Sequence, residues 1–449
     1  MQNLFLFIKE NSRMVAMVLA LIVMVTSVMT APFFYLNWIL GAMIIVLFVV
    51  FIFIDPAFDK SILLAAFISC LWLIVPFFNQ FFMELKDPQA QIKKLLVFVF
   101  NVAFSSALVY YFFNSGHEKR QRLMQTAALV WAFISLMSLV LFYISKPVYI
   151  NLFSSRDFAG ILENRNNYAM MTTLLLAFFV HYRQHWKHRR IMLITTVVLS
   201  AMIFLTSSLK GFIGLAFLAF FEGICLFRKS TDSGQAFSKR NKKKILAFVC
   251  ICIIIIGVLG AVLLTENPIS KKVSRVVLLF TAPEELREGE SAMERAYFAT
   301  ESIKLIEEHP LTGIGFWNSA YYLIPPTTKA KGLEKGAYSH INYLEMLSGG
   351  GIFTFLLYYI PLIFAVILVF KSRKQTDTYS YLLFSGLYLL LMSFAAVTFD
   401  IQYFTVIHVL LINAGIRISK EKHSWGNMNY KASEAGCQLT SYDKRRDRR

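Results

Sequence analysis

The sequence predicts an all-α polytopic membrane protein of about twelve transmembrane helices, with one large external loop between the ninth and tenth. Two observations carry that expectation. Apolar runs recur from one end of the chain to the other, each long enough to cross about 30 Å of hydrocarbon. Basic clusters fall in alternate connections between them. Composition agrees: 57% of the 449 residues are hydrophobic and only 16% charged, with mean hydropathy +0.57. A soluble domain is ordinarily about half apolar or less.

The spans read as about 14–31, 36–54, 61–79, 95–113, 124–145, 167–182, 191–206, 211–227, 245–265, 349–370, 379–398 and 401–418. The first follows MQNLFLFIKENSR and precedes no small-residue cleavage site, so it reads as a retained span. With the N-terminus inside, HEKRQR, HYRQHWKHRR, RKSTDSGQAFSKRNKKK, KSRK and the tail ending KRRDRR all lie in the cytoplasm. That bias is the charge rule that orients membrane helices. The net charge of +18 therefore encodes topology, and a nucleic-acid partner is not implied. Of the five cysteines, Cys70, Cys225, Cys250, Cys252 and Cys437, none falls in an external loop, so no disulfide framework is expected.

This topology divides the chain into a nine-span region (1–265), a large external loop (266–343), a three-span region (344–418) and a basic cytoplasmic tail (419–449). Loops this long are usually functional. Within the loop, TAPEELREG suggests a short helix with Pro283 in its first turn and Gly289 ending it. SAMERAYFATESIKLIEEHP is a stronger helix signal. Ser291 and Glu294 have capping-box spacing, and Ala292, Ala296, Ala299, Ile303 and Ile306 mark one apolar face. Pro310 ends the element, and Gly313 and Gly315 permit a tight turn after it.

The polar groups that could carry chemistry gather at the external ends of the spans. Arg295 opens the loop helix, where a guanidinium and a helix N-terminus together suit an anion such as a diphosphate; pairing with Glu294, Glu288 or Glu290 is the plainer alternative. Arg275 lies in SRVVLL, Lys210 in SSLKG and Arg165 in LENRNNY, each at an external boundary. His340 precedes the tenth span. A helix starting near Ser339 would put its imidazole beside a positive dipole end and keep it neutral, as a general base requires. Asn342 could orient a hydroxyl or sugar. Gly349, Gly350 and Gly351 cost roughly 1 kcal/mol each against alanine in a helix, so they point to close packing or to room for a lipid chain. Glu222 and His408 stand inside apolar spans; Glu222 is close enough to the cytoplasmic end to snorkel. No metal or nucleotide motif is present, and no cofactor is implied.

These features, in this order, resemble the bacterial O-antigen ligase superfamily, which also contains polysaccharide polymerases. The resemblance rests on R-x-x-x-L from Arg275 to Leu279, on the arginine helix running into P-x-x-G-x-G (Arg295 to Gly315), and on His340, Gly351 and Thr354 at the family's spacing. Two positions depart from it. Ile341 stands where the family has a polar residue, the amide coming one step later as Asn342, and Lys210 replaces an arginine. The resemblance implies a GT-C-like architecture and a metal-independent, inverting glycosyl transfer at the outer face of a bacterial inner membrane, with both termini cytoplasmic. The donor would be an undecaprenyl-diphosphate-linked glycan, and the acceptor a lipid A–core or a growing glycan. Arg275 and Arg295, with Lys210 assisting, would hold the diphosphate. His340 would take the acceptor proton or orient the hydroxyl, and Asn342 and Arg165 would position a substrate. A polymerase shares all of this. A lipid-glycan or solute transporter is the alternative of another class, but it would commonly show repeated halves and midplane charges.

Overall fold

The computed structural model describes residues 34–420, apart from 232–290, 55–57, 83, 115–116, 146–163 other than Phe158, 183–188 other than Trp186, 326–335 other than Lys329 and Gly332, 373–376, and 400. The expected first and ninth spans, the TAPEELREG helix, Arg275 and the basic tail lie outside the described residues.

The described residues are helical, with no strand among them. The helices are α1 (Phe34–Ile54), α2 (Ser61–Cys70), α3 (Ile74–Phe82), α4 (Pro88–Asn114), α5 (His117–Ser145), α6 (Arg165–His181), α7 (Arg189–Leu205), α8 (Leu209–Thr231), α9 (Ser291–Glu308), α10 (Ser319–Tyr322), α11 (Asn342–Lys371), α12 (Asp377–Met392) and α13 (402–420). Among them, Ser61–Phe82, Pro88–Tyr111 and Asn342–Lys371 are long and apolar enough to cross a membrane; Ile39–Val50, Gln125–Leu141 and Thr378–Met392 are shorter apolar helices.

Ser61–Phe82 is one span broken in the middle. Pro76 has no N–H, and its ring crowds the carbonyl four residues back, at Trp72. The chain tightens there into a 3-10 turn, Leu71–Leu73. The Pro76 carbonyl accepts from Gln91 Nε2 at 2.7 Å, tying this span to α4. Trp72, fully buried, packs against Phe98, Phe316, Tyr358 and Phe399.

Helix α11 is the hub, packing against the broken span, α9, α10 and α12. It is itself broken at Gly351, which takes φ 67°, ψ −173°. A kink frees backbone groups that need partners, and the segment after α9 supplies them. Ile314 N donates to Ser348 O at 2.8 Å, and Ile352 N donates to Pro310 O at 2.9 Å. The approach is main chain to main chain. A Cβ on Gly313 (φ 67°) would collide with Ser348–Gly350, and one on Gly351 with Leu311 and Thr312. The three glycines therefore seat the P-x-x-G-x-G turn. Of the two explanations offered for them, close packing fits, and the space is taken by protein.

Helix α9 spans the expected segment but presents a different face. Phe298, Ser302 and Leu305 are buried while Ile303 is 49% exposed, so the alanine–isoleucine stripe is not the packed one. The bulkier Phe298 and Leu305 win the interior and pack with Ile314 and Leu323. Helix α12 also ends earlier than expected, at Met392. Beyond it, tertiary bonds replace helical ones, because Asn342 N donates to Ser393 O and Asn342 Oδ1 accepts from Thr398 N and Phe399 N.

Contacts sort to two ends of the bundle. At one, Arg417 Nη2 meets Asp59 Oδ2 at 2.8 Å, Tyr182 bonds Thr378, and Glu222 Oε1 lies 3.3 Å from His181 Nε2, so Glu222 has a buried partner. His408 stacks on Tyr358, centroids 4.6 Å apart. Cys70 and Cys225 are free thiols.

Gly351→Ala is expected to cost more than 2 kcal/mol, because about 1–2 kcal/mol of left-handed strain adds to a collision with main chain. Gly332→Ala has a similar φ of 70° but open space around it, and should cost only the strain. Thermal unfolding of the two variants in detergent checks the contrast.

Candidate functional site

The other end of the bundle collects helix N-termini, and short polar residues hold them together. Asn164 caps α6, its Oδ1 accepting from Asn166 N and Asn167 N. Asn166 Oδ1 accepts from Ser208 Oγ at 2.7 Å, and Ser208 Oγ in turn accepts Gly211 N at the start of α8. Lys210 sits on that opening turn of α8, and Arg165 opens α6.

Near the start of α9, Arg295, Phe298, Ser302 and Leu305 share one helical face. The rotation that buries Phe298 and Leu305 thus aims Arg295 along the same side. The ring centroids of Phe298 and Tyr338 lie 5.9 Å and 4.3 Å from that of His340. The imidazole thus packs with a buried phenylalanine and a tyrosine that is 48% exposed.

Helix α11 starts at Asn342, three residues later than expected, so His340 precedes it in extended-to-turn backbone. Its φ is 61°, a left-handed value that a non-glycine residue adopts only when its surroundings enforce it. Burial, then the charges of Arg295 and Lys210, hold the His340 pKa down at about 4. Neutrality was expected from the helix dipole; burial and two neighbouring cations are its causes here. Lys210 is pushed down to about 8 by burial and by Arg295. The three groups are therefore one electrostatic cluster. Among the described residues Arg295 and Lys210 have no acidic partner, Glu294 included, so the alternative of a local ion pair is left to Glu288 and Glu290, which lie outside them. Two cations that act together on a nearby imidazole make a place where an anion is stabilised. Among the described residues no group of three His, Cys, Asp or Glu is placed to hold a metal ion.

Asn342 has a different environment from the one expected of a substrate-facing amide. It is fully buried; Nδ2 donates to Tyr359 Oη at 2.7 Å, and Oδ1 takes the two backbone N–H groups of Thr398 and Phe399. Its amide pins the α12–α13 connection against α11, and any influence on a substrate passes through that frame.

Three residues of this region carried no separable signal in the sequence. Glu345, 2% exposed, accepts from Ser339 N, Ser339 Oγ and Ser319 Oγ at 2.9–3.0 Å. Tyr338 and Phe298 pack against the histidine. Glu345 looks like an ordinary first-turn acid, and only the fold shows it turned inward.

Arg295→Gln and Lys210→Gln each remove a positive neighbour, which favours the protonated imidazole. Histidine-detected NMR titration should find the His340 pKa raised from about 4 in both variants.

Residues 194–359 match the family model described as O-antigen ligase. The matched stretch runs from α7 into α11 and contains the whole cluster, with Gly313, Gly315 and Gly351. No curated protein matches the chain significantly. Over residues 194–359 the chain is thus similar to the O-antigen ligase family, which supports membership of the O-antigen ligase superfamily.

Proposed function

We propose that the protein moves a glycan from undecaprenyl diphosphate to a hydroxyl of a lipid A–core or similar acceptor, at the external face of a bacterial inner membrane. The observation that carries this reading is one cluster, inside the stretch similar to the O-antigen ligase family, that joins a neutral imidazole to two cations without acidic partners among the described residues.

In the proposed reaction the acceptor oxygen attacks the anomeric carbon as the bond from that carbon to the diphosphate oxygen breaks, which inverts the configuration. The leaving diphosphate carries away the electron pair, and Arg295, Lys210 and Arg275 stabilise its charge. His340 takes the hydroxyl proton or orients the hydroxyl. Stabilisation by side-chain cations is why the proposed step is written without a metal. Arg165, at the α6 start, would help position the donor, and Asn342 would act through the frame it pins.

An imidazole of pKa about 4 is a weak base in the free protein. Burial is the larger cause and would persist, but donor binding would remove the second one, because the diphosphate neutralises the two cations that add to it. His340 would become more basic only once a leaving group is in place, and that protects the acceptor from unproductive deprotonation. A polymerase that extends one glycan with another would use the same groups, and Ile341, where ligases carry a polar residue, favours that second reading.

Purified protein, an undecaprenyl-diphosphate oligosaccharide and a lipid A–core acceptor decide between them. One product shift that requires the acceptor is the expected result; a ladder made without it indicates polymerase, and no covalent product overturns both. His340→Ala and Arg295→Ala should each lower the rate by about 100-fold or more. Activity needs neutral His340 and charged Lys210. The free-protein profile, kcat/KM for the donor, should therefore rise near pH 4 and fall near pH 8, and the acid limb of kcat at saturating donor should lie higher than pH 4.

A further inference from the structure

The left-handed backbone at His340 needs something to enforce it, and the neighbouring residues show what does so. Ser339, fully buried, is held from three directions. Its N–H donates to Glu345 Oε2 at 3.0 Å, its Oγ bonds the same oxygen at 2.9 Å, and Oγ also lies 2.9 Å from Ile341 O. The other carboxylate oxygen, Glu345 Oε1, accepts from Ser319 Oγ at 2.9 Å, and Ser319 begins α10 just beyond the Gly313–Gly315 turn. Glu345 therefore clips two strands of the loop to the first turn of α11, one on each oxygen. His340 is the residue between the clipped Ser339 and the helix.

A buried carboxylate is expensive unless several donors satisfy it. An apolar side chain could have filled the position, yet a charge is kept there whose bonds end on the residue preceding His340. We propose that Glu345 is a positioning residue of the site: its carboxylate holds Ser339 so that the His340 backbone stays left-handed and the imidazole stays against Phe298 and Tyr338, near Arg295 and Lys210. This deepens the functional reading above and rests on His340 as the group that serves the acceptor.

Releasing the clip lets the imidazole move out of its half-buried place, away from the two cations, and the pKa then rises towards its ordinary value of 6.5. The charges that act on the ring are those of Arg295 on α9 and Lys210 on α8, and Tyr338 packs against it.

The test compares full-length wild type, Glu345→Leu, Ser339→Ala and Ser339→Thr in nanodiscs, with His340→Gln used to assign the resonance. Leucine fills a similar volume but offers no acceptor, so both bonds from Ser339 to this side chain are lost. Expected are an upward move of the His340 pKa from about 4 in Glu345→Leu and Ser339→Ala, and a return towards wild type in Ser339→Thr, which restores the hydroxyl. In the transfer assay kcat should fall about 10-fold or more in the first two, with donor KM changed less than 2-fold. A His340 titration identical to wild type in folded Glu345→Leu protein overturns the inference, whether or not transfer is seen. A shifted titration in a protein whose wild type makes no covalent product would instead overturn the functional reading and leave the clip standing.

Discussion

The structure depends on a contact between two stretches of main chain. The turn after α9 lies directly on the glycine kink of α11, and each supplies hydrogen-bond partners that the other lacks. Ile314 N reaches Ser348 O, and Ile352 N reaches Pro310 O. A broken helix inside an apolar bundle leaves unpaired amides, which are costly away from water. Here the break is satisfied by the segment that also carries Phe316 into the aromatic cluster around Trp72. The segment between α9 and α11 is thereby tied into the bundle. Asn79 Nδ2 donates to Thr312 O, and Asp87 joins Asn318 and Tyr321, so the same segment also fastens the early spans.

From that anchor the site geometry follows. The turn fixes the end of α9 and hence the direction in which Arg295 points. The first half of α11, upstream of the kink, carries Glu345 and the approach to His340. Lys210 comes from a separate junction, the Asn166–Ser208 bond between α6 and α8. Three separate pieces of backbone thus bring three polar groups together at one end of the bundle, those of Lys210 and His340 held by short polar side chains at a helix start.

Much of this was legible in the sequence, for physical reasons. Long apolar runs admit few conformations in a membrane, so the positions of the helices followed from hydropathy, and Pro310, Gly313 and Gly315 marked the turn. What escaped was whatever depends on tertiary partners. The face of α9 was misread because periodicity weighs small alanines like large side chains, whereas Phe298 and Leu305 bury far more area. Met392 ends α12 because Asn342 competes for the following backbone, a bond across 56 residues that no local pattern reveals. Asn342 itself carried a residue type suited to substrates but an environment suited to architecture. His340 was singled out by its spacing; its strained backbone and the causes of its neutrality were not legible.

The seating of the turn on the glycines has a consequence for how such proteins diversify. Most of the contact is backbone, and Leu311 is 56% exposed, so several side chains of the turn are free to vary while its path is not. Residues 310–316 and 349–351 must then travel together, as a lock and its keyway do. A loop exchanged between two relatives without its matching kink would carry its arginine into the wrong orientation, even with every charged residue retained.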